Sequence, residues 1–334
     1  MGGATMTEVV AELSSNHNGS LPRMLKLIKS CAYAGAHAVK FQTWKVGTMV
    51  YDRGFKLEDG PWKGRNLYEL YEEAHTPWEW YPEMIELAKR MRVPWFSSVF
   101  DLPSLEMLES LDCPRYKISS FELVDLTLIA EVASTGKPMV FSTGMATIDE
   151  IDQAVMLATT SGCKDITLLK CTSAYPANAE NANLATLFHM EHEFMTKFGL
   201  SDHTQGIGVA IIAADRGACM IEKHVKLNDG NGLDAEFSIT TSELANLVLD
   251  IQRAKACIGK VQYGPLEEEM PQLALRRSLY YAQDLKKGTV ISKGHITSAR
   301  PALGLHPHTP VIGKTLAVDV SAYSPTKQEH FVVS

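Results

Sequence analysis

Short apolar runs recur along the chain, and each is followed by a stretch with helical spacing. Strands are predicted at Thr7–Leu13, Ala38–Gln42, Pro94–Ser98, Arg115–Ile118, Pro138–Ser142, Ile166–Cys171, Gly199–Asp202 and Cys219–His224. Helical segments lie between them at Leu21–Ala34, Pro77–Met91, Leu102–Leu111, Asp125–Ser134, Ile148–Ser161 and Ile207–Arg216. A last amphipathic stretch, Ser242–Ile258, takes Ser242 as its predicted N-cap and stops at Gly259. Eight strand–helix units within about 260 residues is the usual size of a (β/α)8 barrel, an α/β fold. A doubly wound open sheet is the alternative, because periodicity does not show closure.

Beyond Gly259 the pattern changes. Residues 1–260 are expected to form the barrel, and 261–275, proline- and glutamate-bearing, to form a linker. Residues 276–334 carry short β-like runs (RRSLYYAQDL, KKGTVI, SKGHITSARP and Leu316–Val320) and read as a small β-rich module. At about 60 residues such a module is marginal alone and needs a surface to pack on.

The predicted strands begin apolar and end polar. Glu12 closes the first, Lys40 and Gln42 the second, and Ser98 the third. Lys117 ends the fourth, with Ser119, Ser120 and Glu122 just beyond; Ser142 and Thr143 follow the fifth, and Thr172 and Ser173 the sixth. Ser201, Asp202 and His203 end the seventh, and Glu222, Lys223 and His224 the eighth. In a parallel barrel these ends share one rim, where active sites are built. For one residue, polarity simply marks where a strand leaves the core; for eight strands at once that explanation is poor.

Composition narrows the picture. Apolar residues make up 45% and charged residues 21%, so the chain is globular rather than disordered. Lys plus Arg total 32 against 39 for Asp plus Glu, a net charge of −7, which argues against nucleic-acid or anionic-membrane partners but leaves room for a local basic pocket. Six scattered cysteines without a C-x-x-C pair read as reduced thiols. No signal-peptide pattern opens the sequence and no window approaches the roughly 20 apolar residues of a membrane span, so a cytoplasmic protein is expected.

The candidate chemistry is metal-assisted work on an anion. His203 and His224 follow adjacent strands, and two imidazoles on one rim suit an exchangeable divalent ion. Two ligands are too few for a structural zinc site. Lys40 and Lys117, with the hydroxyls of Ser98, Ser120, Ser142 and Ser201, supply donors for a phosphate or carboxylate, although strand-end lysines also snorkel to water. No Walker-type or G-x-G-x-x-G loop supports nucleotide binding. Glu12 and Glu122 are suited to proton transfer, and Tyr175 and Arg300 are further polar anchors. Trp62, Trp78, Trp80 and Trp95 read as packing.

The blocks AELSSNHNGS, AGAHAVKFQT, FSSVFD, YKISSFE, FSTGM, LKCTSAYP, GLSDHTQGIG and IEKH occur in this order. Together they make the chain resemble the sialic acid synthase family of phosphoenolpyruvate-dependent nonulosonic acid synthases over essentially its whole length. RRSLY and ARPALGLHP resemble the antifreeze-type (SAF, β-clip) module that ends that family's chains. The segments DGPWKGRNLYELYEEAHTPWEW and GLDAEFSI resemble the branch of the family that makes pseudaminic acid.

The resemblance implies a condensation of phosphoenolpyruvate with a 2,4-diacetamido-trideoxy hexose, releasing phosphate by C–O cleavage. It implies a divalent cofactor (Mn²⁺, Mg²⁺ or Co²⁺) on His203 and His224. Phosphoenolpyruvate contacts are implied at Lys40, Ser98, Lys117, Ser120, Ser142, Ser173, Tyr175 and Ser201, with Ser173 standing where the family often has Asn. Glu12, Lys40, Lys117 and Glu122 would be catalytic. Gln42, Glu122, Asp234 and Arg300 would face the sugar, with Arg300 reaching into a partner's site in a homodimer with exchanged C-terminal modules. A sugar- or ice-binding protein without activity is the reading from another class.

Overall fold

The protein, represented by a computed structural model, is described for residues 6–333. It divides into two units that part between Gly259 and Lys260.

In the first unit eight strands run parallel: β1 (Glu8–Glu12), β2 (Ala38–Thr43), β3 (Trp95–Val99), β4 (Tyr116–Ile118), β5 (Met139–Ser142), β6 (Ile166–Cys171), β7 (Lys197–Asp202) and β8 (Met220–Lys226). Each pairs with the next, and β8 returns to β1 in register from Glu8↔Met220 to Glu12↔His224. The ring is therefore closed, and the open-sheet alternative falls. All five residues of β3 are buried, as expected for strands covered on both faces. A two-residue strand, β9 (Ile239–Thr240), pairs with the far end of β8.

The covering helices are α1 (Leu21–Tyr33), α2 (Val46–Met49), α3 (Leu67–Ala74), α4 (Tyr81–Arg90), α5 (Leu102–Ser110), α6 (Leu126–Ser134), α7 (Ile148–Thr160), α8 (Thr186–Phe194), α9 (Gly208–Asp215) and α10 (Thr241–Cys257). On α1 the buried residues Met24, Leu27, Ile28 and Cys31 fall at i, i+3, i+4 and i+7, a single helical face. The cap of α10 differs from expectation. Thr240 and Glu243 bond reciprocally to each other's backbone N–H, so two orphan donors are satisfied before Ser242 is reached.

Residues 51–66, which have no period in the sequence, fold back as a hairpin. Lys56 bridges Asn66, the Leu57 N–H donates to the Arg65 carbonyl at 3.0 Å, and Gly60 and Gly64 turn at φ +80° and +81°.

The second unit has one two-stranded antiparallel sheet, β10 (Ser278–Tyr281) with β11 (Ile296–Ala299). Isolated bridges Leu285↔Val320, Val290↔Thr315 and Leu316↔Phe331 close the rest around a core that includes Tyr281, Ile291, Val311 and Phe331. KKGTVI contributes only the Val290 bridge rather than a strand. The segment expected to be a bare linker is wound into 3₁₀ turns at Glu267–Leu275. No described helix is long and apolar enough to cross a membrane.

Candidate active site

A cavity of about 750 Å³ opens in the barrel unit, within the roughly 300–1,000 Å³ usual for small-molecule sites. Lys40, Gln42, Lys117, Ser120, Ser142, Ser173, Tyr175, Ser201, His203, His224 and Asp234 all line it. So does Glu222, a strand-end residue to which the sequence reading gave no role.

The floor is a charge network. Lys40 Nζ lies 2.6 Å from Glu12 Oε2 and 3.5 Å from Glu222 Oε2, and donates to Ser98 Oγ at 2.7 Å. Lys117 Nζ reaches across the barrel to Glu222 Oε1 at 2.7 Å, where the Ser201 hydroxyl also donates, at 3.0 Å. Lys40 is 2% exposed and Lys117 1%, so neither snorkels to water. Isolated charges here would cost several kcal/mol each, and two carboxylates against two ammonium groups sum to zero.

Burial pushes the Glu12 carboxyl up, against the pull of Lys40. Burial would also raise Glu222, but Lys117 and Lys40 hold it well below the usual carboxylate range. Glu12 and Ser98 do not line the cavity; both support Lys40 from beneath.

Beside the floor is a cradle of small donors. The Gly144 N–H donates to Ser120 Oγ at 3.1 Å, and a Cβ at Gly144 would come within 2.1 Å of Ser173 Oγ and 2.8 Å of Ser120 Oγ. Glycine is required there by close approach. The buried Ser142 hydroxyl has no protein partner among the described residues, which suits a group waiting for an anion.

His203 and His224 stand with ring centroids 5.4 Å apart. His203 Nδ1 lies 2.9 Å from the Thr172 carbonyl, which can only accept, so Nδ1 carries a hydrogen and Nε2 is left for a ligand. His224 Nδ1 is buried without a partner, and burial with the neighbouring His203 holds this ring well below the usual histidine range, that is, neutral. For His203, burial is outweighed by Cys171 and the Thr172 carbonyl, which raise it; a cation binding there would displace that proton. This donor pair fits a divalent ion. Among the described residues no group of three or more His, Cys, Asp or Glu forms a closed set, so water and substrate would complete the shell.

The AELSSNHNGS block holds a loop of the cavity wall. Ser14 Oγ and the Ser15 N–H both donate to Asp234 Oδ2, the latter at 3.2 Å. Asn16 Nδ2 donates to the Val225 carbonyl and to Ser238 Oγ, both at 2.9 Å. Gly232 approaches so closely that a Cβ would lie 2.0 Å from Asn16 Oδ1. Burial pushes Asp234 up to about 6. His17 of the same block is structural: its Nδ1 accepts from the Gly19 N–H, and burial lowers it to about 4.

Besides Glu12 and Ser98, two more expected site residues lie off the cavity lining. Glu122 does not line the cavity; its Oε2 is buried without a partner, and burial raises the carboxyl to about 7. Arg300 is exposed on the second unit.

Trp62, expected to be packing, lines the cavity. Its Nε1 donates to the Leu233 carbonyl at 3.2 Å, and its ring meets Phe237 edge to face at 5.7 Å. Sequence pattern gave no sign of this, because the two segments are unrelated in period and meet only in space.

The chain also resembles known proteins along its length. A profile of the NeuB family matches residues 27–263, and one of the SAF domain matches 276–332. The pseudaminic acid synthase of Helicobacter pylori is 39% identical over 326 residues, 95% of this chain and 96% of that one. The N,N'-diacetyllegionaminic acid synthase of Legionella pneumophila is 34% identical, covering 98% and 96%. Among solved structures, the N-acetylneuraminic acid synthetase of Leptospira borgpetersenii, in complex with citrate, superposes with a TM-score of 0.71 at 28% identity, over 82% of this chain and 92% of that one. With a match across well over half its length, the chain belongs to the NeuB family.

Proposed function

We propose that the protein condenses phosphoenolpyruvate with 2,4-diacetamido-2,4,6-trideoxy-β-L-altropyranose in its open-chain form, giving pseudaminic acid and phosphate. The observation that carries this is the meeting of two buried lysines, a glycine–serine cradle and two histidines in one cavity. C3 of phosphoenolpyruvate bonds to the aldehyde carbon, whose oxygen takes a proton. Water adds at C2 with loss of a proton, and the C2–O bond to phosphate breaks.

Lys40 and Lys117 donate hydrogen bonds to the substrate's carboxylate and phosphate, while Ser120, Ser142, Ser173, Ser201 and the Tyr175 hydroxyl orient it. Glu12, raised by burial and touching Lys40 from outside the cavity lining, holds that lysine in place rather than meeting the reacting carbons. Asp234 and Gln42 face the sugar, with Asp234 able to give a proton to the aldehyde oxygen near neutral pH. Glu122, away from the cavity lining, supports this region rather than reacting. A divalent ion (Mn²⁺, Mg²⁺ or Co²⁺) on His203 and His224 would supply Lewis acidity at the aldehyde oxygen.

Similarity to the Legionella protein favours a second reading, a legionaminate synthase, and one assay separates the two. Purified protein, phosphoenolpyruvate and Mn²⁺ should release phosphate with the L-altrose derivative. Equal or faster release with the legionaminic acid precursor or N-acetylmannosamine would overturn the first reading. EDTA should abolish release and a divalent ion restore it; chelated enzyme with full activity would remove the metal from the scheme.

We further propose a cytoplasmic homodimer with exchanged C-terminal units, Arg300 serving its neighbour's cavity. Mixing Arg300→Ala with Lys117→Ala chains should then restore activity, and no recovery after proven subunit exchange would place Arg300 in its own chain's site.

A further inference from the structure

We propose that Trp62 and Phe237 form the apolar wall of the amino-sugar subsite and set its preference for a 6-deoxy, N-acetylated sugar over a 6-hydroxylated one, an inference that rests on the sugar-condensing function proposed above. The two rings come from distant parts of the sequence and meet edge to face at 5.7 Å. Phe237 is 2% exposed and packs on Tyr175 at 4.9 Å and on His224 at 5.0 Å, so its position is fixed by residues of the reacting centre. Trp62 is held from the other side, its only polar group being used by the Leu233 carbonyl. Leu57, Pro61 and Leu233 extend the same surface along the cavity.

Aromatic faces with no free donor or acceptor suit a methyl group or the methyl of an acetamide. A hydroxymethyl pressed against them would leave its hydroxyl without a partner in exchange for the water it gives up. Discrimination against an added hydroxyl by an apolar wall amounts to about 10- to 100-fold, and that is the effect expected. Polar recognition of the same sugar falls to Asp234 and Gln42, which line the cavity as well.

The test is steady-state kinetics on the full-length protein with Mn²⁺, comparing the 2,4-diacetamido-2,4,6-trideoxy sugar with its 6-hydroxylated counterpart, 2,4-diacetamido-2,4-dideoxy-L-altrose. In Trp62→Ala the KM for the deoxy sugar should rise about 10-fold, and the ratio of kcat/KM between the two sugars should fall by a similar factor. The KM for phosphoenolpyruvate should change far less than that for the sugar, because Trp62 meets that substrate's residues only at the Tyr175 ring, and a small change also reports an intact floor and a folded protein. Trp62→Phe, which keeps a ring but loses the N–H, should retain most of the wild-type ratio.

An unchanged ratio in Trp62→Ala, with wild type active on the deoxy sugar, overturns the wall alone. Trp62→Phe behaving like Trp62→Ala also overturns it, since the tether to Leu233 would then be the determinant. Wild type inactive on both sugars overturns the proposed function, and the wall with it.

Discussion

Lys40 and Lys117 on the cavity floor are gripped by carboxylates of strands beside them or across the barrel, whereas Trp62 in the wall is held between loops by one N–H···O bond and by ring contacts with Phe237 and Tyr175. Floor positions are set by closure of the sheet: Glu12 stands opposite Lys40 in the β1–β2 register, and Ser98 opposite Lys117 in β3–β4. The wall depends on where the 51–66 hairpin and the 227–238 loop come to rest. Reaction chemistry is thus placed on elements that cannot shift without opening the barrel, and substrate choice on elements that vary at low cost.

Changes to the floor test that division most severely. Lys117→Ala should cut turnover by at least about 10³-fold with every sugar and destabilise by about 3–5 kcal/mol, because Glu222 stays buried with its nearer ammonium gone. Phosphate release and urea unfolding measure the two effects. Pairing it with Glu222→Leu should recover stability without activity, and recovery of both would mean that the network is scaffold only.

A smaller effect is expected at the cradle between floor and wall. Gly144→Ala must displace Ser173 and Ser120, so the KM for phosphoenolpyruvate should rise about 10-fold or more while that for the sugar holds. Equal rises in both would blur the line between the two regions.

The smallest effect lies outside the cavity. Glu122 in the folded protein is raised to about 7 from an ordinary value of 4.5, so the folded state binds the extra proton between those limits and stability declines as pH rises through them. Glu122→Gln should therefore raise Tm by a few degrees at pH 8 and change it little at pH 5. A large loss of kcat in this variant, with Tm unchanged at both pH values, would return Glu122 to the reacting groups.

How much of this was legible in the sequence follows the same line. Polar ends on apolar runs placed Lys40, Lys117, Ser142, Ser201, His203 and His224 together, because a parallel barrel puts all such ends on one rim. Glu222 stood at one of those ends and was given no role, since its significance lies in lysines on other strands. Glu12 and Ser98 were visible but lie beneath the cavity rather than in it. Trp62 and Phe237 were out of reach, because nothing local distinguishes a tryptophan in a hairpin that packs from one that faces a ligand. The cap of α10 was misplaced by two residues because Ser242 and Thr240 are both good cap residues, and the Glu243 side chain decides between them.

The hydrogen bond from Thr7 to the Ala218 carbonyl spans 211 residues, and β1 gains its second neighbour only when β8 arrives. During synthesis most of the first unit must therefore emerge with β1 and β7 as unpaired edges, the form in which strands recruit one another between molecules. Lys117 spends that interval without its carboxylate. Barrel closure is also the step that brings Glu222 to Lys117, so a nascent chain cut short before Met220 keeps both an unpaired edge and an unpaired buried charge and is prone to aggregate.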